Sequence, residues 1–165
     1  AFAVLERVID RTQPDIVLCV GQAAERAALC VERVAINVQD ARSADNDGAQ
    51  PADFPIVAGG PAAYFATLPI KAAVAALHAA GLPAAVSNSA GTFVCNHVFY
   101  RLMHLAATRN LNFRGGLLHV PRLQVSLDHR PAASESNAAV MALDDIVRGI
   151  IIVLGTAAGE RLGSL

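Results

Sequence analysis

Residues 84–97 read AAVSNSAGTFVCNH. A short apolar run gives way to the small residues SNSAG, and a helical pattern then opens around a cysteine, Cys95. An apolar run closed by a turn and followed at once by a helix is the strand–turn–helix unit of an α/β domain. In such domains reactive groups collect at the carboxyl ends of the strands, which is where Cys95 falls. Gly91 in the turn permits close backbone approach or positive φ. The first turn of a helix favours the thiolate of a cysteine placed there, and its unpaired backbone N–H groups can hold a developing oxyanion. The alternative is plain packing, since free cysteine is among the most buried residue types. Cys19, between Leu18 and Val20, and Cys30 are read in that second way.

The neighbouring segments extend the pattern. Residues 2–11 place Phe2, Leu5, Val8 and Ile9 on one helical face, and Pro14 and Asp15 end it. Residues 16–20, IVLCV, are a continuous apolar run stopped by Gly21, as in a buried parallel strand. Residues 29–38, LCVERVAINV, give a second strand pattern with two charges inside it. Residues 40–55 form a polar loop of a length that is often functional. A helix is predicted over 70–80, ended by Gly81 and Pro83, and another over 92–109. GLLHV, residues 116–120, is a further strand stopped by Pro121. Residues 122–135 are polar and turn-rich, and a last helix is predicted over 138–154. Alternating strands and helices imply an α/β fold: a three-layer α/β/α sandwich with a mostly parallel central sheet, one domain over residues 1–165. A domain of this kind usually opens on a strand, whereas this chain opens on a helix; a first strand and its loop are expected to be missing from it.

Composition narrows the function. Of 165 residues, 54% are hydrophobic and 16% charged, which excludes a disordered chain. The formal net charge is −1 with no basic run, so neither nucleic acid nor a membrane surface is an expected partner. The richest apolar stretch, GIIIVLGTAA at 149–158, is far short of the roughly 20 residues that cross a bilayer. The opening AFAVLERVIDR lacks the layout of a signal peptide. Three cysteines without a CxxC or HxxxH pair argue against a disulfide scaffold and a structural zinc site, and fit a reducing cytoplasm. DNDG at 45–48 lacks calcium-loop spacing and reads as an Asx-rich turn.

A thiolate nucleophile works with a histidine. Among the five histidines, His78 lies in an alanine-rich helix, and His97 is two residues beyond Cys95 and points elsewhere on a helix. His104 lies too far along the same helix, and His129 sits in a polar loop. His119 sits at the carboxyl end of GLLHV, where a strand of this architecture places its chemistry, and is the chosen partner; a core histidine is the alternative. Glu32 is a carboxylate inside an apolar strand, on the face opposite to Arg33. A charge in such a place is exposed at an edge or paired, and pairing with His119 would orient the ring.

Together these segments resemble the pyrrolidone carboxyl peptidase (pyroglutamyl peptidase I) family of cysteine peptidases. SNSAGTFVCNH resembles the family's cysteine signature nearly residue for residue, and GQAAERAALCVERVAIN, residues 21–37, its glutamate signature. DARSADNDGAQP, GGPAAYFATLPIKA and RGGLLHVP resemble further segments in the family's order, so that the likeness covers residues 14–121. The resemblance implies a Cys–His–Glu triad on Cys95, His119 and Glu32. It implies removal of an N-terminal pyroglutamyl residue from peptides through a thioester acyl-enzyme, with no metal or organic cofactor, by a cytoplasmic homotetramer. Beside that triad, Arg42 in the DAR segment is the candidate to assist the oxyanion. Phe93 is a candidate wall of an apolar lactam pocket, with plain core as its alternative, and Gln22 at the strand-end turn is a candidate contact.

The chain departs from the family pattern in several places. Cys30 replaces a Ser or Thr, Ala24 and Glu25 replace a glycine pair, and Arg122 stands where an aromatic is common. The family's opening strand and Gly/Phe-rich loop, which help form the pyroglutamate pocket, have no counterpart, so a damaged pocket is expected if the chain begins at Ala1. Two other functions use the same residues. One is a catalytically silent relative that binds peptide N-termini or serves as an assembly subunit; the other is an amidase for a different small acyl group.

Overall fold

In a computed structural model, residues 2–44, 48–124 and 140–159 are described. The expectations for His129 and for DNDG at 45–48 fall wholly or mainly outside them. Helix α1 (Phe2–Thr12) leads to strand β1 (Ile16–Gln22), then β2 (Leu29–Glu32), β3 (Val34–Ile36) and β4 (Ala63–Phe65). Helix α2 (Ile70–Ala79), strand β5 (Ala84–Ser87) and helix α3 (Val94–Arg109) follow. Strands β6 (Arg114–Val120), β7 (Arg122–Leu123) and β8 (Val140–Met141) precede the last helix, α4 (Leu143–Ala158).

The central sheet runs β1-β6-β2-β5. β1 pairs parallel with β6 and β2 parallel with β5. The two halves meet at an antiparallel β2–β6 junction, with Cys30 opposite His119 and Val31 opposite Leu118. Side-chain alternation sends each strand's residues to two different layers. Val17, Cys19 and Leu117 pack with α1 and α3, against Ile9, Phe99, Leu102 and Met103. Leu18, Leu29, Val31, Leu118 and Val120 pack with α2 and α4, against Leu77, Ile146, Ile152 and Val153. This is the expected three-layer α/β/α sandwich, with parallel pairs on either side of one short antiparallel seam.

Several boundaries differ from the sequence reading: β1 runs on through Gly21 to Gln22, and α4 begins at Leu143 rather than 138. The strand expected over 29–38 breaks at Arg33, whose N–H donates to the Ser87 carbonyl while its own carbonyl accepts from Ala66 N–H. Beyond it, β3 belongs to a second sheet with β4, a strand that the turn-rich GGPAAYF does not suggest. α3 starts at Val94 because Thr92 is held in the loop: its hydroxyl donates to the Asp40 carbonyl at 2.8 Å. α4 runs to Ala158, four residues past the expected end, and stops at Gly159, whose φ of 82° is the left-handed conformation that closes helices.

α4 is apolar on both sides. Ile146, Ile152 and Val153 are buried, while Leu143, Val147, Ile151 and Leu154 form an exposed stripe at helical spacing. No helix among the described residues is long and apolar enough to cross a membrane.

Candidate active site

The register of the sheet builds the site. His119, at the carboxyl end of β6, lies beside Gly21 of β1 and opposite Cys30 of β2. Glu32 is two residues beyond Cys30, so it shares a face with His119 as a diagonal neighbour within side-chain reach. His119 Nδ1 donates to Glu32 Oε1 at 2.7 Å. Glu32 is fully buried and His119 nearly so.

Cys95 arrives from the other direction, as the second residue of α3. Its sulfur and the His119 ring converge over Gly21, close enough for the thiol to raise the ring's pKa. Nδ1 is taken by Glu32, which leaves Nε2 for the sulfur. Gly21 makes this meeting possible. A Cβ there would stand 2.9 Å from Cys95 Sγ, 3.3 Å from His119 Cδ2 and 3.5 Å from Nε2. Burial works against a charge on His119, but the hydrogen bonds and negative charges of Cys95 and Glu32 outweigh it and raise the ring's pKa to about 9. Cys19, two residues before Gly21 on the same face, is a different thiol: burial, with a smaller contribution from Cys95, pushes it up to about 11.

The other sequence candidates lie outside this core. Phe93 precedes α3 and lines a cavity of about 190 Å³ with Phe2, Gln39, Pro51, Val94, His97 and Val98. Arg42 is exposed in the loop after Asp40, and that loop is tied to the nucleophile turn by Asp40 N–H donating to the Thr92 carbonyl. Gln22 is exposed at the end of β1, where alternation turns it to the face opposite Gly21. The remaining described histidines are engaged elsewhere: His78 with the Ala84 carbonyl, His97 with Gln39 Oε1, and His104 with the Tyr64 hydroxyl. Burial, then the Arg101 charge, lowers the pKa of His97.

Two residues at the site escaped the sequence reading. Asn96, fully buried beside the nucleophile, accepts from Ile36 N–H at 3.0 Å and donates to the carbonyls of Ile36 (2.9 Å) and Val38 (3.0 Å). It fastens the start of α3 to β3. Replacing Asn96 with alanine would strand these backbone groups in the core, and an unfolding free energy lower by about 3 kcal/mol is the expected result of a urea titration. Arg26 reaches Glu32 from the β1–β2 loop. The only sequence signals for either were polarity at the edge of an apolar segment and closeness to a catalytic candidate.

The site has counterparts among known proteins. The family described as pyroglutamyl peptidase matches residues 1–160. A pyrrolidone-carboxylate peptidase 1 of Ralstonia nicotianae is 56% identical over 156 residues, 94% of this chain and 70% of that protein. A pyrrolidone-carboxylate peptidase of Streptococcus pyogenes is 54% identical over 147 residues, 89% of this chain and 66% of that protein. The crystal structure of pyroglutamyl peptidase I from Bacillus amyloliquefaciens superposes with a TM-score of 0.87 at 42% identity, covering 99% of this chain and 76% of that one. Pyrrolidone carboxyl peptidase from Thermococcus litoralis gives 0.89 at 33% identity, covering 96% and 72%. With a thiol beside an imidazole that is hydrogen-bonded to a buried carboxylate on this sheet, and with a match of that extent, the chain belongs to the pyroglutamyl peptidase family of cysteine hydrolases.

Proposed function

We propose that this protein removes the N-terminal pyroglutamyl residue from peptides, with Cys95 as nucleophile, His119 as general base and acid, and Glu32 as the group that orients His119. The observation that carries the reading is the convergence of the Cys95 sulfur and the His119 ring over Gly21, with that ring hydrogen-bonded to the buried Glu32 carboxylate. His119 holds the proton of the Cys95 thiol, and the sulfur attacks the pyroglutamyl carbonyl carbon. Backbone N–H groups at the start of α3, assisted by Arg42, hold the oxyanion in this reading. As the tetrahedral intermediate collapses, His119 gives its proton to the departing peptide amine and the thioester remains. Water then attacks the thioester, its proton returns through His119, and free pyroglutamate leaves. The lactam has no charged amine, so a mostly apolar pocket with few polar groups suits it. The cavity beside Phe93, with Gln39 and His97 among apolar walls, has that character.

Fluorogenic amides test the reading. Turnover of the pyroglutamyl amide is expected, with prolyl and acetyl amides left intact; folded protein that cleaves none of them, or prefers another acyl group, would overturn it. The same proposal treats residues 1–165 as one domain and the working assembly as a cytoplasmic homotetramer. The exposed apolar stripe of α4 supports association. Light scattering should return the mass of four chains, and a persistent monomer would refute that part.

A further inference from the structure

The Glu32 carboxylate has two partners on one oxygen. Oε1 accepts from His119 Nδ1 at 2.7 Å and meets Arg26 Nη1 at 3.2 Å, while the buried Oε2 has no partner among the described residues. The second arm of the same guanidinium, Nη2, donates to the Ser89 carbonyl at 2.8 Å. Ser89 belongs to the SNSAG turn that delivers Cys95, and its own hydroxyl accepts from Gly91 N–H. One forked cation therefore joins the carboxylate that orients the histidine to the turn that presents the nucleophile. The fork is what arginine offers and lysine does not. The loop that carries Arg26 is closed by Arg26 N–H on the Ala23 carbonyl. Ala24 and Glu25, in place of the family's glycine pair, fit there without positive φ.

We propose that Arg26 is a positioning residue for the hydrolysis: it turns Glu32 Oε1 toward His119, locks the Ser89 turn in register with that carboxylate, and moderates the hold of Glu32 on the imidazolium. The inference rests on the Cys95–His119–Glu32 reading. Its electrostatic sign is fixed. A cation sharing Oε1 draws the carboxylate's field away from the ring, so removing it makes His119 harder to deprotonate. The groups facing His119 are Cys95 from α3, Glu32 and Cys30 from β2, and Cys19 from β1 beyond Gly21. None of these changes when Arg26 is replaced.

The test is an NMR titration of the His119 ring, with turnover measured alongside, in the unaltered protein, Arg26→Gln and Arg26→Lys. In Arg26→Gln the His119 midpoint should rise by roughly half a unit or more, and kcat should fall about ten- to a hundredfold with KM little changed. Arg26→Lys keeps the charge but loses the fork. Its midpoint should stay with the unaltered protein while kcat falls part of the way. A purely structural role predicts lower stability, an unmoved His119 midpoint, and a lysine variant as poor as the glutamine one. That pattern, or unchanged kcat in Arg26→Gln, would overturn the proposal. Should Arg26→Gln not fold, Arg26→Lys decides: a kcat equal to that of the unaltered protein excludes the fork. The titration reads the ring without turnover. An inactive unaltered protein whose His119 midpoint still responds to Arg26 would therefore count against the peptidase reading alone.

Discussion

Cys95→Ser is expected to leave a folded protein whose turnover of a pyroglutamyl amide is lower by about three orders of magnitude. The substitution changes one atom, at a half-buried position on an intact helix, so the unfolding midpoint should hardly move. The chemistry should not survive it. A thiol beside an imidazole of pKa about 9 can pass its proton over before substrate arrives, whereas a serine hydroxyl keeps its proton until the moment of attack. The variant also loses one of the two negative partners that sustain the charge on His119. The sign of the pH effect follows. The folded value lies above the 6.5 of a free imidazole, so the stability drawn from the charged ring is complete below about 6.5 and is lost as pH rises through about 9. In Cys95→Ser that loss should set in at lower pH. Unfolding curves collected across this range, beside the turnover assay, would show both effects, and retention of turnover would remove Cys95 from the chemistry.

Glu32 should matter to both activity and folding. Glu32→Gln keeps the shape but removes the charge that faces His119 Nδ1. A fall in kcat of about a hundredfold or more is expected, with the alkaline limb of the profile moving down from about 9. Glu32→Ala goes further. It leaves a nearly buried imidazolium and the Arg26 guanidinium facing an empty site, the arrangement in which breaking a buried ion pair is most damaging. A loss of about 3–5 kcal/mol in urea unfolding is expected. The two variants move the His119 titration in opposite senses to Arg26→Gln, down for Glu32 and up for Arg26, because one removes the anion and the other its competitor. A Glu32→Gln variant with unaltered kcat and profile would show that the carboxylate only fills space.

The sequence made the layers and the three reacting groups legible because each carries a local signal. IVLCV and GLLHV are continuous apolar runs, the second stopped by Pro121, SNSAG announces a tight delivery turn, and Glu32 is conspicuous as a charge in an apolar run. What it hid depends on pairing between distant segments. The break at Arg33 occurs because Ser87 and Ala66 capture its backbone groups, and both lie more than 30 residues away. The antiparallel β2–β6 seam, which sets Glu32 diagonal to His119, is a register between segments that look equally suited to parallel pairing. Arg26 and Asn96 read as ordinary polar residues until the fold brings Ser89 and Ile36 to them.

Gly21 sits in β1 with no unusual backbone angle; what it contributes is the absence of a methyl group where sulfur and imidazole converge. A larger residue there would disturb neither the strand's hydrogen bonds nor its conformational preference, only the space the two reactive side chains share. A variant here would therefore be felt first in product formed, where sulfur and imidazole must meet, and in stability only as far as it pushes the buried His119 off Glu32.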